Sequence, residues 1–282
     1  MAVISVRIPN RRAPLPRKPR GRALGQRESS RQRSPARRSQ RLLLACAALG
    51  VLLATLAHLF LRHPLTIAMT DALPATWVKT AAINTQHTLD QTQLRPSQAS
   101  GTRIEALTTR FAALSAPASG ALPYRLIFRR GGLSGPLTYS LPDGSIVVTD
   151  ELLATLPDDT QVLALLCHEL GHLHHRHMLQ VSIEDQVFTL ALASLLGLEK
   201  VVVQGLETGI LNAEMGDTPH YEADRFAQHM LAQNGLSPRT LHAALETLAR
   251  QASTTRAQSP LLRAPSAELF QSRIRYLPQR KG

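Results

Sequence analysis

An uncharged apolar run near the N-terminus limits the architecture of this chain more than any other feature of its sequence. Residues 42–61 contain no Asp, Glu, Lys or Arg, and His58 is their only strongly polar member. A helix rises 1.5 Å per residue, so roughly 20 residues cross a hydrocarbon core of about 30 Å. A buried helix of this length is seldom apolar on every face. We therefore predict one transmembrane helix over residues 42–61.

The excess positive charge lies entirely before this run. The chain has a formal net charge of +12, and residues 1–41 hold 13 Lys or Arg against one acid, Glu28. The remainder is balanced, which argues against a nucleic-acid partner. A tail rich in Arg, Pro and Ser is predicted to be disordered. Because basic segments stay on the cytoplasmic side, we expect a single-pass protein of an inner or plasma membrane, with its N-terminus cytoplasmic and the rest periplasmic or otherwise extracytoplasmic.

Two other interpretations of the N-terminus fit less well. A cleavable signal peptide has a shorter basic region and a shorter apolar core than this sequence. A mitochondrial transit peptide is also rich in Arg and poor in acids, but it forms an amphipathic helix. The five prolines in residues 1–41 oppose such a helix.

The chain after the span divides into a weakly patterned part and a strongly patterned one. Residues 62–100 are predicted to be a loosely packed linker with a short helix, and residues 101–282 a folded domain. Residues 101–115 have helical spacing. Strands are predicted at Tyr124–Phe128, Leu137–Leu141 and Ser145–Thr149, the last two joined as a hairpin by Pro142-Asp143-Gly144.

Most of the remaining domain has helical patterns. Helices are predicted to begin at Pro157-Asp158-Asp159, Thr218-Pro219 and Ser237-Pro238, and a last one to cover Ala267 to Tyr276. The apolar stretch Val187 to Leu198 is too short to span a bilayer and is predicted to be a buried or membrane-surface helix. The fold class is therefore α+β, mainly helical with a small antiparallel sheet.

The helix that begins near Asp158 carries an HExxH motif, His168-Glu169-Leu170-Gly171-His172. Histidines four residues apart lie on one helix face, where both rings can reach one metal ion. Glu169 lies about 100° around the helix, so it borders the ion without filling a coordination position. There it can accept a proton from a water molecule that the metal activates. Zn²⁺, one ion per chain, is the expected cofactor.

A later helix offers the further ligands that such a site needs. His220 and Asp224 are four residues apart on one face, whereas Glu222 is about 200° from His220. We predict His220 as the third metal ligand, with Glu222 as the alternative. Asp224 is expected to hold a ligand imidazole by its second nitrogen; the alternative is a solvated acid paired with Arg225 or Arg176.

These motifs resemble the HtpX-like, Oma-type and CAAX-protease-like zinc metallopeptidases over roughly residues 100–280. The resemblance rests on HELGH with Arg176-His177, on SLPDGSIVVTDELL (140–153), on YEADRFA (221–227) and on SRIRYL (272–277). It implies a zincin-like domain, one zinc ion and endopeptidase activity near a membrane, often in protein quality control. The family's metal-binding Glu falls at His220. This sequence also departs from the family's pattern at Gly216-Asp217, Leu137 and Ala264-Pro265.

Several other histidines and one tyrosine lie near these motifs in the sequence. His174, His175 and His177 are expected to be exposed on the last helical turn, with a second metal site as the alternative. Tyr221, His229 and His242 are candidates for stabilising the transition state.

The function expected from the sequence is a membrane-anchored zinc metalloendopeptidase acting on unfolded or membrane-proximal proteins. The substrate is expected to extend beside the strand of residues 137–141. The alternative is a catalytically weak relative that acts as a chaperone-like or scaffold binding module.

Overall fold

The computed structural model describes residues 35–116, 123–254 and 266–277, so the first 34 residues of the predicted tail and Ala264-Pro265 lie outside the described residues. The chain divides into two compact units, residues 1–52 and 53–282. Helix α1 covers Pro35–Ala72 and contains the predicted span. Its stretch Leu42–Ala72 is long and apolar enough to cross a membrane, and the most apolar part of it contains no buried residue.

The segment predicted to be a linker is packed structure instead. Residues Ala75–Thr92 form α2, which packs against a helix near the middle of the domain, α8 (Glu199–Leu211). Ala81, Ala82 and Leu89 of α2 are buried in this contact. The sequence pattern is weak because two of these three are alanines, which permit close helix packing but contribute little to an apolar period.

Four short strands form one sheet in the order β1-β2-β4-β3. The strands are β1 (Arg95–Pro96), β2 (Arg125–Arg130), β3 (Thr138–Ser140) and β4 (Ser145–Thr149). The predicted β3–β4 hairpin is confirmed. The sheet is mixed, however, and not antiparallel as predicted, because the chain after β2 places β3 at the outer edge and returns so that β4 pairs with β2 in parallel. All five residues of β4 are buried, as expected for a central strand.

The remaining described elements are helices, which confirms the mainly helical fold. They are the short 3-10 helix Gly132–Ser134 and the α-helices α3 (Gly101–Ala112), α4 (Asp150–Thr155), α5 (Asp159–His175), α6 (His177–Glu184), α7 (Val187–Leu195), α9 (Asp217–Gln233), α10 (Arg239–Thr254) and α11 (Ala267–Tyr276). The sequence did not predict α4, α6 or α8. Helix α9 begins at Asp217, two residues before the predicted first position at Pro219.

Helix α5 lies at the centre of the domain. Every residue from Val162 to His172 is buried, and α5 packs against α9, α10 and β3. The contact with α9 is close: a Cβ added at Gly171 would lie 2.9 Å from the Cα of Ala223. This approach brings the HExxH motif of α5 and the polar residues of α9 to one place.

Candidate metal centre

Capping interactions define where α5 starts and stops. The Asp158 carboxylate accepts a hydrogen bond from the Thr160 backbone N–H at 2.8 Å, as predicted for this cap. At the other end, Arg176 adopts the left-handed conformation, with φ 56° and ψ 31°. This break ends α5 after His175 and starts α6 at His177. The chain therefore turns back, and His177 lies against the motif helix.

Three imidazoles converge between α5 and α9. The Nε2 atoms of His168 and His172 are 3.0 Å apart, and His220 completes a group whose ligand atoms all lie within 4.8 Å of one another. The Nδ1 of His220 is buried and has no hydrogen-bond partner among the described residues. A buried nitrogen without a partner costs free energy unless something binds it. The donor set therefore fits a borderline-soft metal ion such as Zn²⁺.

Burial keeps these three imidazoles in the neutral form that metals bind. It lowers the pKa of His168 to about 4, with the Arg273 charge adding to the effect. It lowers the pKa of His220 to about 2 and that of His172 well below its ordinary value, and the neighbouring positive groups act in the same direction. A neutral imidazole has a lone pair to donate, so no proton has to be removed before a metal binds.

Glu169 is buried beside this group but does not belong to it. The side chain lies near Ser140 of β3, and burial raises its pKa to about 7, with Ser140 and Arg273 partly offsetting the increase. A carboxyl group with a pKa near neutrality can both accept and release a proton at physiological pH. Glu169 therefore lies beside the three imidazoles, and its role next to a metal stays a prediction.

A buried ion pair holds the second nitrogen of His168. The His168 Nδ1 lies 2.7 Å from Asp224 Oδ1, and the Arg273 guanidinium donates to both Asp224 oxygens at 2.6 and 2.9 Å. These bonds leave Nε2 of His168 facing the other imidazoles. The charge of Arg273 offsets the effect of burial and keeps the pKa of Asp224 below its ordinary value. Asp224 thus has the position predicted for it, and its alternative pairing with Arg225 or Arg176 is not observed.

Arg273 was missed by the sequence reasoning, although a signal existed. It lies three residues after Phe270 and four before Leu277, both buried, so its position falls on the apolar face of α11. A charged residue at such a position needs a partner in the protein interior.

His177 is buried, and the expectation that it would be exposed is wrong. Its Nδ1 lies 2.9 Å from the Nδ1 of His172, and its Nε2 lies 2.9 Å from Glu222 Oε2. If the Nε2–H of His177 donates to Glu222, the Nδ1 of His177 accepts a hydrogen bond from the Nδ1–H of His172, which leaves the Nε2 lone pair of His172 for a metal. Glu222, the alternative third ligand, therefore points to His177, whereas His220 joins the two motif histidines.

The other histidines of this region have different surroundings. His174 is exposed, as expected. His175, His177 and Glu222 have ligand atoms within 4.8 Å of one another. The buried member of this second group is His177, and its two ring nitrogens already form the hydrogen bonds to His172 and Glu222.

A groove of 780 Å³ lies over the candidate centre. It is lined by β3 and its flanks, by Glu169, His172 and His220, and by residues 210–215. Strand β3 pairs with β4 on one side only, so its other backbone edge is available. None of the three transition-state candidates lines the groove: the Tyr221 hydroxyl bonds Asp217 and Ser272, His242 pairs with Glu246, and His229 lies elsewhere on α9.

Comparison with known proteins agrees with this geometry. Residues 137–272 match the family model of peptidase family M48. No curated protein matches the chain. The matched region runs from the edge strand β3 through α5 and α9, and so contains all three converging histidines and Glu169. Residues 137–272 of this chain therefore form a domain of peptidase family M48, the metallopeptidases that the sequence resembles.

Proposed function

We propose that this chain is a membrane-anchored zinc metalloendopeptidase that hydrolyses unfolded or membrane-proximal proteins in protein quality control. The observation that carries the proposal is the convergence of three neutral imidazoles, with the buried Glu169 carboxyl beside them and not among them. A binding module would need no titratable carboxyl at that position.

One zinc ion would be held by His168, His172 and His220. Bound there, zinc supplies a Lewis acid that activates water and polarises a carbonyl oxygen. Asp224 and His177 fix the orientation of two of the three rings through their Nδ1 atoms. A third imidazole in place of a carboxylate leaves the site more positive by one charge, which favours water activation.

The remaining groups bind the substrate and move the proton. Glu169 would accept a proton from the attacking water and return it to the leaving amine, a role that suits a pKa of about 7. The substrate backbone would extend along the outer edge of β3, pairing as an added strand above the imidazoles. Such pairing recognises the peptide backbone of the substrate and not its side chains, which suits unfolded substrates.

The anchor supports the location of the activity. Helix α1 has the length and composition of a membrane span, and the basic tail before it favours a cytoplasmic N-terminus. The domain would then act on the extracytoplasmic side of an inner or plasma membrane.

The experiment compares the full-length protein, in detergent, with its His220→Ala, Glu222→Ala and Glu169→Gln variants. Zinc content and casein hydrolysis are measured on the same samples. We expect one zinc in wild type, the largest loss of zinc in His220→Ala, and a smaller loss in Glu222→Ala. Glu169→Gln should keep its zinc and lose casein hydrolysis by at least about 100-fold.

One observation favours a second candidate, a catalytically weak relative that acts as a chaperone-like or scaffold component. His220 stands where the family resemblance expects a glutamate. If Glu169→Gln left casein hydrolysis unchanged, or if wild type held no zinc, the enzyme proposal would be wrong and this candidate would replace it.

A further inference from the structure

The helical hairpin of α7 and α8 has two apolar faces, and only one of them is packed. The inner face, which includes Leu190, Ala193 and Val202, is buried in the domain. The outer face and the tip are exposed: the exposed fractions are 59% for Leu192, 84% for Leu195 and 62% for Leu196. Loop tips of water-soluble domains are normally polar, so an apolar tip marks an interaction surface.

This outer face continues at both ends of the hairpin. Phe188 on α7, Leu198 after the turn and Val201 on α8 are also exposed by more than two fifths. We call these six residues the apolar tip: Phe188, Leu192, Leu195, Leu196, Leu198 and Val201. Charged residues lie around it: Glu184 and Asp185 precede α7, and Glu199 and Lys200 lie between Leu198 and Val201 at the start of α8. An apolar surface with a charged rim is typical of a segment that lies in a membrane interface.

Two contacts join α1 to the chain around the start of α7 within residues 53–282. Arg62 pairs with Glu184, the last residue of α6, at 2.7 Å. The rings of His58 and Phe188, the second residue of α7, are 6.1 Å apart. The start of α7 therefore lies beside the apolar part of α1.

Phe188 belongs to the apolar tip, so the tip begins at a residue that lies beside the candidate span. The neighbouring part of α1 exposes Leu56, Leu59 and Phe60. A bilayer that holds these side chains would reach the apolar tip as well. This continuity with the candidate span selects lipid over a protein partner as the occupant.

We propose that the apolar tip inserts into the acyl and headgroup boundary of the extracytoplasmic leaflet, as a second membrane contact besides α1. The inference rests on the proposed membrane anchor. The hairpin is rigid enough for this role, because Gly205 on α8 lets Leu190 of α7 pack closely against it. The domain is then fixed against the bilayer at two places, and its groove is held at one height above the surface.

The test uses the full-length protein with Cys46→Ser, reconstituted in phosphatidylcholine and phosphatidylglycerol liposomes. A small fluorophore is attached to one introduced cysteine at a time: Leu196→Cys at the tip, Phe60→Cys in α1, or Leu133→Cys in the loop before β3. Phe60 and Leu133 are 72% and 71% exposed, so both match the accessibility of Leu196. The native Cys167 is buried and should not be labelled. Quenching is measured with aqueous iodide and with nitroxide-labelled lipid.

We expect the probe at position 196 to behave like the probe at position 60, quenched by nitroxide lipid and shielded from iodide by at least fivefold relative to position 133. Iodide quenching at position 196 equal to that at position 133, with position 60 still shielded, would overturn the inference and leave the anchor intact. Shielding of position 196 from both quenchers would also overturn it, in favour of a protein contact. Iodide access at position 60 would refute the anchor and the inference together.

Discussion

The rings of the candidate metal centre differ in what holds their second nitrogen. His168 has a buried carboxylate, Asp224, whose charge is balanced by Arg273. His172 has another imidazole, His177. A partner on the second nitrogen fixes the tautomer and the ring plane before a metal arrives, so these bonds reduce the ordering that metal binding requires.

His177 is the partner whose contribution can be measured most cleanly. We expect His177→Ala to weaken zinc binding by about 10- to 100-fold, because His172 loses the acceptor that orients it. The dissociation constant would be measured by competition with a chromophoric chelator. Asn at position 177, which keeps a hydrogen-bonding group, should recover part of the loss.

His174→Ala is the matched control for that variant. His174 is exposed and lies three residues before His177, at the end of α5, so its removal should leave the zinc dissociation constant unchanged. Equal affinities for wild type and His177→Ala would mean that the His172–His177 bond has no role in holding the metal.

Sequence reasoning predicted the residues that converge and the role of Asp224, but not the roles of Arg273 and His177. The HExxH spacing places His168, Glu169 and His172 on a helix without knowledge of the fold, since the motif is local. The roles of Arg273 and His177 depend on a distant helix and on a left-handed residue at the end of α5, neither of which follows from local spacing.

At the scale of elements, the distance between α5 and α9 decides whether the third imidazole can reach the other two. Gly171 sets that distance. A Cβ there would lie 2.9 Å from the Cα of Ala223 and 3.0 Å from its carbonyl oxygen, and these are backbone atoms that cannot rotate away. Since His220 precedes Ala223 by less than one turn, any displacement of α9 moves His220 too.

We therefore expect Gly171→Ala to lower the free energy of unfolding by about 1–3 kcal/mol and to weaken zinc binding at the same time. Urea unfolding in detergent and chelator competition would measure the two effects. Gly101→Ala serves as the control, because a Cβ at Gly101 meets nothing within 4 Å and should leave both quantities unchanged. A destabilised Gly171→Ala protein with normal zinc affinity would contradict the role of Gly171 in positioning His220.

A second prediction concerns the ion pair that joins α2 to the sheet. Arg129 of β2 donates to both carboxylate oxygens of Asp90, at 2.8 and 3.1 Å. Burial would raise the pKa of Asp90, but the hydrogen bonds to Arg129 outweigh it and the pKa is lowered from its ordinary 3.8. The pair therefore stabilises the fold above that value, and this stabilisation is lost as the pH falls through the lowered pKa.

For Asp90→Asn we expect a loss of about 1 kcal/mol at neutral pH, and a smaller difference from wild type at about pH 3. Urea midpoints at the two pH values would show this. Asp71→Asn removes a more exposed pair with Arg176 and should change the midpoint little at either pH. A difference at Asp90 that does not depend on pH would show that the charge is not what stabilises the contact.

The elements that sequence patterns predicted are those with strong local signals. The Asp158 cap and the Pro-Asp-Gly turn gave α5 and the β3–β4 hairpin. The parallel pairing of β2 with β4 and the packing of α2 on α8 were not predicted, because both depend on contacts between segments far apart in the sequence.

At the scale of the whole molecule, the sequence predicts the proposed anchor but only part of the proposed membrane contact. The uncharged run and the basic tail predict a span and an orientation by themselves. The stretch Val187 to Leu198 was expected to be either buried or at a membrane surface. In the structure this stretch has one buried face and one exposed apolar face, because α7 packs on the domain with Leu190 and exposes Leu192 and Leu195.

Two membrane contacts should matter most for substrates that are themselves in the membrane. We expect Leu195→Ser combined with Leu196→Ser to lower the cleavage of a liposome-anchored peptide by roughly two- to tenfold, because a domain held by α1 alone presents its groove at many heights and the effective substrate concentration falls. Hydrolysis of soluble casein by the same liposomes should not change, since neither leucine lines the groove. The measurement is the ratio of the two rates.

Leu133→Ser, which removes an equally exposed leucine elsewhere, should leave that ratio at its wild-type value. Equal falls in both rates would indicate general damage to the domain, and an unchanged ratio in the double variant would show that the tip does not govern access to membrane substrates.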